Sequence, residues 1–302
     1  MTPTEIKKVL SDFGARPNKR LGQHFLIDKS VLQTIIETAN IKKGDHVLEI
    51  GPGLGVLTQA LIDCGADVTA IEQDRRMVAY LEHDLSNQPS LISANRRIVH
   101  GDAATIHWHE LIDERPWKFV SNLPYSITSL ALRKALWTPK PPDIVVVLVQ
   151  REVAERAIAK NGKTSLLSLM VALASHRTRI VKRVPAGAFY PPPKVESAIL
   201  EIVPMSQRER IEKWGMDPEK IMAIAKLGFA HPRKFLLSNL KSLLVGAGSS
   251  RPGPGTRGAE TAPLPDFPFN PKIRAEDLAP EQWAELARSL FSIEGYKHEL
   301  DF

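Results

Sequence analysis

The sequence predicts an α/β protein: a mostly parallel β-sheet covered by helices on both faces, followed by a smaller all-helical C-terminal domain. Three observations carry this. Strand-like and helix-like segments alternate steadily from residue 46 to residue 159. The run Ile144–Val149 (IVVVLV) has the unbroken apolar character of a central strand. Beyond Pro204 strand-like runs cease and helical periodicity takes over. Alternating strands and helices bury both faces of a parallel sheet, which is why such strands are apolar throughout.

The elements follow in order. Residues 1–25 are polar and basic, with Pro17 as a breaker. Asp28 is placed to cap a helix over Lys29–Asn40, in which Val31, Leu32, Ile35, Ile36 and Ala39 recur at helical spacing. His46–Ile50 (HVLEI) reads as a buried strand, followed by a Gly-rich turn and a helix over Val56–Cys64. Asp67–Ile71 is a second strand and Asp74–Leu85 a second helix; Arg97–His100 is a third strand. Trp117–Ser121 is a fourth, ahead of a helix over Thr128–Trp137, and Ile144–Val149 a fifth, ahead of a helix over Arg151–Ala159. Residues 179–184 and 198–203 read as closing strands around the Pro-rich loop Pro191–Pro193. Helices are expected over Glu219–Leu244 and Pro280–Leu290, with a mobile Gly/Pro-rich segment at 246–271. The expected domains are therefore 1–204 and 205–302.

Composition narrows the class. The 302 residues are 43% hydrophobic and 25% charged, ordinary for a globular protein with a sizeable core. Cys64 is the sole cysteine, so neither an internal disulfide nor a cysteine-zinc cluster is available, and no metal is expected. No apolar run approaches the about 20 residues a membrane helix needs, and the start lacks a secretory pattern, so the cytoplasm is the expected compartment. The net charge of +6 is concentrated: residues 151–200 hold nine basic and three acidic side chains. That density suggests a polyanionic partner, with a solvated basic face as the plain alternative.

The strongest local signal is Glu49-Ile50-Gly51-Pro52-Gly53-Leu54-Gly55, where a strand ends and a helix starts. Glycines there permit a sharp turn and close approach of the backbone to a ligand. The spacing is G-x-G-x-G, not the G-x-G-x-x-G of dinucleotide enzymes. An acidic residue two before the first Gly suits a ligand with a cationic amino-acid end and no pyrophosphate, such as S-adenosylmethionine (SAM); a purely structural turn is the alternative. Glu72, at the tip of the second strand, is placed to accept both ribose hydroxyls. Asp102, after the third, is placed to accept the exocyclic amine of a cofactor adenine. Together they read as a Rossmann-like SAM-dependent methyltransferase sheet, since open α/β sheets bind ligands at the carboxyl ends of their strands.

The fourth strand runs into Asn122-Leu123-Pro124-Tyr125. This resembles the (N/D/S)-(P/L)-P-(Y/F) motif of enzymes that methylate exocyclic amines of bases, a strand-to-helix turn with a core tyrosine being the alternative. The lone pair of such an amine, adenine N6, is delocalised into the ring, so the amine attacks poorly. The Asn122 side-chain carbonyl and the Pro124 backbone carbonyl can accept its two hydrogens and free that lone pair. Tyr125 offers a plane for the base to stack on, worth about 1–3 kcal/mol.

With these residues in place the chain resembles the rRNA adenine dimethyltransferases, in particular their bacterial small-subunit branch. Lys19–Leu26 (KRLGQHFL) is similar to their N-terminal signature, Glu49–Thr58 to their SAM motif and Asn122–Tyr125 to their catalytic motif. Gln150–Arg156, Phe189–Ala198, Arg233–Leu240 and Arg274–Leu278 are similar to further blocks, in order, over nearly the whole chain. The resemblance implies N6,N6-dimethylation of two adjacent adenines in a hairpin loop near the 3′ end of 16S rRNA, during late assembly of the small ribosomal subunit. It implies SAM contacts from His24, Leu26, Gly51, Glu72, Asp102 and Asn122, and a target base sandwiched between Tyr125 and Phe189. Position 24 is His where the motif is associated with Asn.

On this reading Arg151, Arg156, Lys160 and Lys163 hold phosphates flanking the flipped base, although Arg151 and Glu152 could instead form a structural pair. Nothing in the sequence demands a dimer, so a monomer is expected. The alternatives are a large-subunit rRNA adenine methyltransferase of the antibiotic-resistance type, a DNA adenine methyltransferase, and a largely non-catalytic assembly checkpoint.

Overall fold

Caps and turn residues set the helix ends much where the sequence places them. The computed structural model describes residues 1–18, 22–86, 96–112, 115–159, 163–240 and 267–291. Its strands and helices are β1 (Phe25–Leu26), β2 (His46–Ile50), β3 (Asp67–Glu72), β4 (Arg96–His100), β5 (Trp117–Asn122), β6 (Ile144–Gln150), β7 (Ser175–Val184), β8 (Phe189–Tyr190) and β9 (Ser197–Pro204), with α1 (Pro3–Asp12), α2 (Lys29–Ala39), α3 (Val56–Asp63), α4 (Arg75–Ser86), α5 (Thr128–Leu136), α6 (Arg151–Ala157), α7 (Leu166–Ala174), α8 (Gln207–Trp214), α9 (Pro218–Gly228) and α10 (Pro280–Phe291). Asp28 caps α2 by accepting the Ser30 and Val31 amides, and the helix stops at Asn40 in the left-handed conformation.

Seven strands form one sheet in the order β4-β3-β2-β5-β6-β9-β7. The first five are mutually parallel, and β9 is antiparallel to both β6 and β7. The α/β class read from the sequence holds. Val145 through Val149 on β6 are fully buried, as a central strand requires. The chain leaves β2 toward β3 and β4, then returns to add β5 on the other side of β2, so the strand order reverses between β2 and β5. Ligands bind beside such a reversal, at the carboxyl ends of the strands. Pairing between β2 and β5 stops at Leu48 opposite Phe119, and beyond it the Ser121 hydroxyl donates to the Ile50 carbonyl at 2.7 Å.

The chain divides into two compact units, Met1–Glu155 with Ser175–Pro204, and Arg156–Ala174 with Met205–Phe302. The sequence reading of one boundary near 204 omits the excursion 156–174, which carries α7. That helix (LLSLMVALA) is apolar on every side, so it gives no amphipathic signal. In the second unit the Trp214 indole donates to the Leu173 carbonyl and Thr164 Oγ1 to the Leu278 carbonyl.

The helical stretch expected over Glu219–Leu244 comes in pieces: α9 stops at Gly228, a turn carries Pro232, residues 236–240 are helical again, and residues 241–244 lie outside the described residues. Proline lacks an amide hydrogen and disfavours helical geometry in the residue before it. A Cβ at Gly228 would stand 2.5 Å from the Trp283 ring, so α10 packs where no side chain fits. Of the Gly/Pro-rich segment 246–271, residues 246–266 lie outside the described residues.

Candidate active site

Strand ends and the turns after them line a cleft open to solvent, at the carboxyl edge of the sheet where ligands of open α/β folds bind. His24, Leu26, Glu49, Gly51, Gly53, Glu72, Asp102, Asn122, Pro124 and Tyr125 all line it. The structure thus brings together ten residues singled out from the sequence, drawn from positions 24 to 125. Gly55 does not line it. It sits at φ +73° as the residue before α3, and a Cβ there would stand 2.7 Å from Leu81 Cδ2, so it serves the turn and helix packing.

The floor is acidic and buried. Glu49, 1% exposed, accepts the Thr58 hydroxyl at 2.7 Å, and burial pushes its pKa up to about 8. Glu72, 5% exposed, accepts the amides of Gly53 (3.1 Å) and Asp74 (2.8 Å). Burial raises its pKa against the lowering effect of those amides. Neither carboxyl has a cationic partner among the described residues. Asp102 is half-buried and accepts the Ala104 amide at 2.8 Å through Oδ1. Acceptors for hydroxyls and an amine beside buried acids without a counter-charge fit a ligand that is cationic at one end and a nucleoside at the other. SAM meets that description.

The Asn122–Tyr125 turn is fixed from three sides. Asn122 ends β5 opposite Leu148, and its Nδ2 donates to the His24 carbonyl at 3.2 Å. With Nδ2 engaged there, Oδ1 is the part of the side chain left to accept from a ligand. The Pro124 carbonyl accepts the Ile127 amide at 3.2 Å and keeps one lone pair. Tyr125 shares a 2.7 Å hydrogen bond with Ser197 Oγ, and burial raises its phenol pKa.

The N-terminal segment reaches the cleft by pairing Phe25 with Tyr190 and Leu26 with Phe189, a two-stranded β1–β8 ribbon too short to read from sequence. His24 Nδ1 donates to the Pro191 carbonyl at 2.6 Å, and its ring stacks on Tyr125 with centroids 5.8 Å apart. Phe189 is 2% exposed, packed in the core, and does not line the cleft; the ring stacked on Tyr125 is that of His24.

The basic residues are less uniform than their sequence suggests. Arg151 pairs with Glu155 and Glu196, not with Glu152. Arg156 and Lys163 are exposed in the second unit, and Lys160 lies outside the described residues.

Comparison with known proteins agrees with the geometry. The family described as ribosomal RNA adenine dimethylase matches residues 14–248. The chain belongs to that family. It is a SAM-dependent rRNA adenine dimethyltransferase by descent. It is 37% identical over 283 residues to a protein of Dehalococcoides mccartyi named ribosomal RNA small subunit methyltransferase A, covering 93% of this chain and 91% of that one. The structure of a dimethyladenosine transferase from Plasmodium falciparum has the same fold, with a TM-score of 0.68 at 24% identity over 90% of this chain and 98% of that one. The 23S rRNA methyltransferase ErmE is also similar, at TM-score 0.60 and 25% identity over 88% of this chain and 99% of that one. The higher identity to a small-subunit enzyme disfavours the large-subunit alternative. Among the described residues no helix is long and apolar enough to cross a membrane.

Proposed function

We propose that this enzyme dimethylates the N6 amines of two adjacent adenines in a hairpin loop near the 3′ end of small-subunit rRNA, acting as a cytoplasmic monomer on the late-assembling small subunit. The observation that carries the reading is the pair of acceptors at the tip of β5, Asn122 Oδ1 and the Pro124 carbonyl, in the same cleft as Glu72 and Asp102.

Glu72 holds the ribose hydroxyls of the cofactor with the lone pairs its two amide bonds leave free. Asp102 accepts from the cofactor's adenine, and Glu49, which burial by itself keeps protonated, is the acid that a cationic amino-acid end draws toward its charged form. His24, Leu26 and the Gly51–Gly53 turn close the walls. When bound, SAM supplies a methyl group activated by a positive sulfur. The chain's own task is to make a poor nucleophile competent. Asn122 and Pro124 accept the two amine hydrogens, which draws the nitrogen out of conjugation, and Tyr125 supports the base from one face. No strong general base is required, because the amine becomes acidic only as the methyl transfers. Position and electrostatics do the remainder.

Arg156, Lys160 and Lys163 hold flanking phosphates, and structured RNA is recognised chiefly through shape and backbone. Arg151 contributes less, since two carboxylates already share its charge. The test is to incubate the protein with labelled SAM and unmethylated 30S subunits, digest the RNA and identify the nucleosides. Dimethyladenosine at two adjacent positions near the 3′ end is expected. Label confined to other nucleosides or other positions, or no label on the RNA, overturns the reading.

A further inference from the structure

The loop from Asp102 to Ile106, between β4 and β5, is hydrogen-bonded from two sides. Its amides turn to Asp102. The Asp102 carbonyl accepts from Thr105 and Ile106, both at 3.0 Å, and Asp102 Oδ1 accepts from Ala104 at 2.8 Å. Three of its carbonyls turn to one ammonium. Lys134 Nζ, from the last turn of α5, donates to Ala103 O (2.9 Å), Ala104 O (2.9 Å) and Ile106 O (2.7 Å).

An ammonium has three hydrogens, so these contacts saturate it. Nζ also lies 5.3 Å from the centroid of Trp108, whose indole donates to the same Ala103 carbonyl at 2.9 Å. A Cβ at Gly101 would stand 2.5 Å from Ile106 Cδ1, so the loop closes tightly on its own strand. Lysines on helices usually extend into water, whereas Lys134 is half-buried. Burial pushes its pKa down, and the Asp102 carboxylate works against that.

The geometry points to Lys134 as a positioning residue for cofactor selectivity: by gathering the carbonyls of residues 103, 104 and 106 it fixes the loop that aims Asp102, and so sets the preference for an amine over an oxo group at position 6 of the cofactor's purine. The inference rests on the reading of Asp102 as the acceptor for that amine. Lys134 touches neither cofactor nor RNA in this role. A neutral side chain of similar length would leave the Ala104 and Ile106 carbonyls without their donor and Ala103 with the Trp108 indole alone, and let the carboxylate wander.

Calorimetric binding of S-adenosylhomocysteine, and of its inosine counterpart carrying oxygen at that position, tests this on the full chain. Lys134→Met should narrow the preference for the adenosine compound by about tenfold, the order expected for one misaligned charge-assisted hydrogen bond. Lys134→Gln, which keeps two N–H donors, should narrow it less and guards against a folding defect in the first variant. In turnover, KM for SAM should rise while kcat at saturating SAM and KM for RNA hold. If Lys134→Met keeps the full preference while Asp102→Asn abolishes it, the inference is overturned and the Asp102 reading survives. If Asp102→Asn also keeps the preference, the Asp102 reading fails and the inference fails with it. Equal weakening of both compounds by Lys134→Met and Lys134→Gln would make Lys134 merely structural, which also overturns the inference.

Discussion

The Tyr125 hydroxyl and Ser197 Oγ, 72 residues apart in sequence, share a 2.7 Å hydrogen bond that ties the catalytic turn after β5 to the first residue of β9. Ser197 is fully buried, so the bond anchors Tyr125 to the rigid sheet. Tyr125→Phe and Ser197→Ala each remove it without removing the stacking plane. Each should slow RNA methylation by about fivefold, the effect of a hydrogen bond of about 1 kcal/mol. The double variant should be no slower than either single one, because both delete the same interaction. Initial rates at saturating SAM decide it, and independent, additive losses would refute the coupling.

Gly51 ties the cofactor turn to the same catalytic motif. It holds φ +67°, and a Cβ there would stand 2.9 Å from Pro124 Cγ and 3.1 Å from its Cδ. Gly51→Ala therefore combines left-handed strain with a push on the proline that presents an acceptor. Gly14, at φ +59° with nothing within 4 Å of its virtual Cβ, supplies the strain alone. Both alanine variants should lose about 1–2 kcal/mol of stability in urea unfolding. Gly51→Ala should in addition cut methylation by about tenfold or more, as misplaced catalytic groups do. Equal activity in the two variants would show that Pro124 tolerates the displacement.

These relationships show which parts of the molecule local sequence could carry. Strand tips were readable because turn chemistry is local: Gly51, Gly53, Glu72, Asp102 and Asn122 each stand where a short apolar run ends. Helix α1 carries signals just as local, within a segment whose composition reads only as polar and basic. Thr2 and Glu5 form a capping box, Pro3 opens the helix, and Ile6 and Leu10 form its buried stripe. Other features are tertiary. The two-residue β1–β8 pairing, the burial of Phe189 and the three carbonyls gathered by Lys134 join residues with no local pattern between them. His24 and Leu26 were expected in the cleft only through family resemblance, and that ribbon is what brings them there.

Buried Glu49 makes stability depend on pH with a definite sign. Its folded pKa, about 8, lies above its ordinary value of 4.5. Below the lower value both folded and unfolded states carry the proton, and the favourable contribution is complete. Between the two values the folded state keeps a proton that the unfolded chain has released. Stability then falls as pH rises, by about 1.4 kcal/mol per pH unit, until the folded group ionises. Glu49→Gln never ionises and escapes this loss. Urea unfolding at about pH 5 and about pH 8 should show the variant gaining on the wild type by a few kcal/mol. A pH-independent difference would mean that Glu49 is ionised throughout.

Charge on the basic block should be read by salt, because each phosphate contact releases counterions. Arg151 is held by Glu155 and Glu196, and Glu155 is shared with Arg183. Its charge is partly spent within the protein, and surface pairs of this kind contribute less than about 1 kcal/mol to stability. Arg151→Ala should therefore leave both stability and the salt dependence of subunit binding nearly unchanged. Replacing Lys160 and Lys163 together should reduce the slope of log K against log salt by about 1.4–1.8, at roughly 0.7–0.9 per phosphate contact. Filter binding of unmethylated small subunits across a salt series measures both. An unchanged slope in the double-lysine variant removes these two residues from the RNA interface. A slope reduced by Arg151→Ala alone would mean that the arginine exchanges its carboxylates for phosphate when RNA arrives.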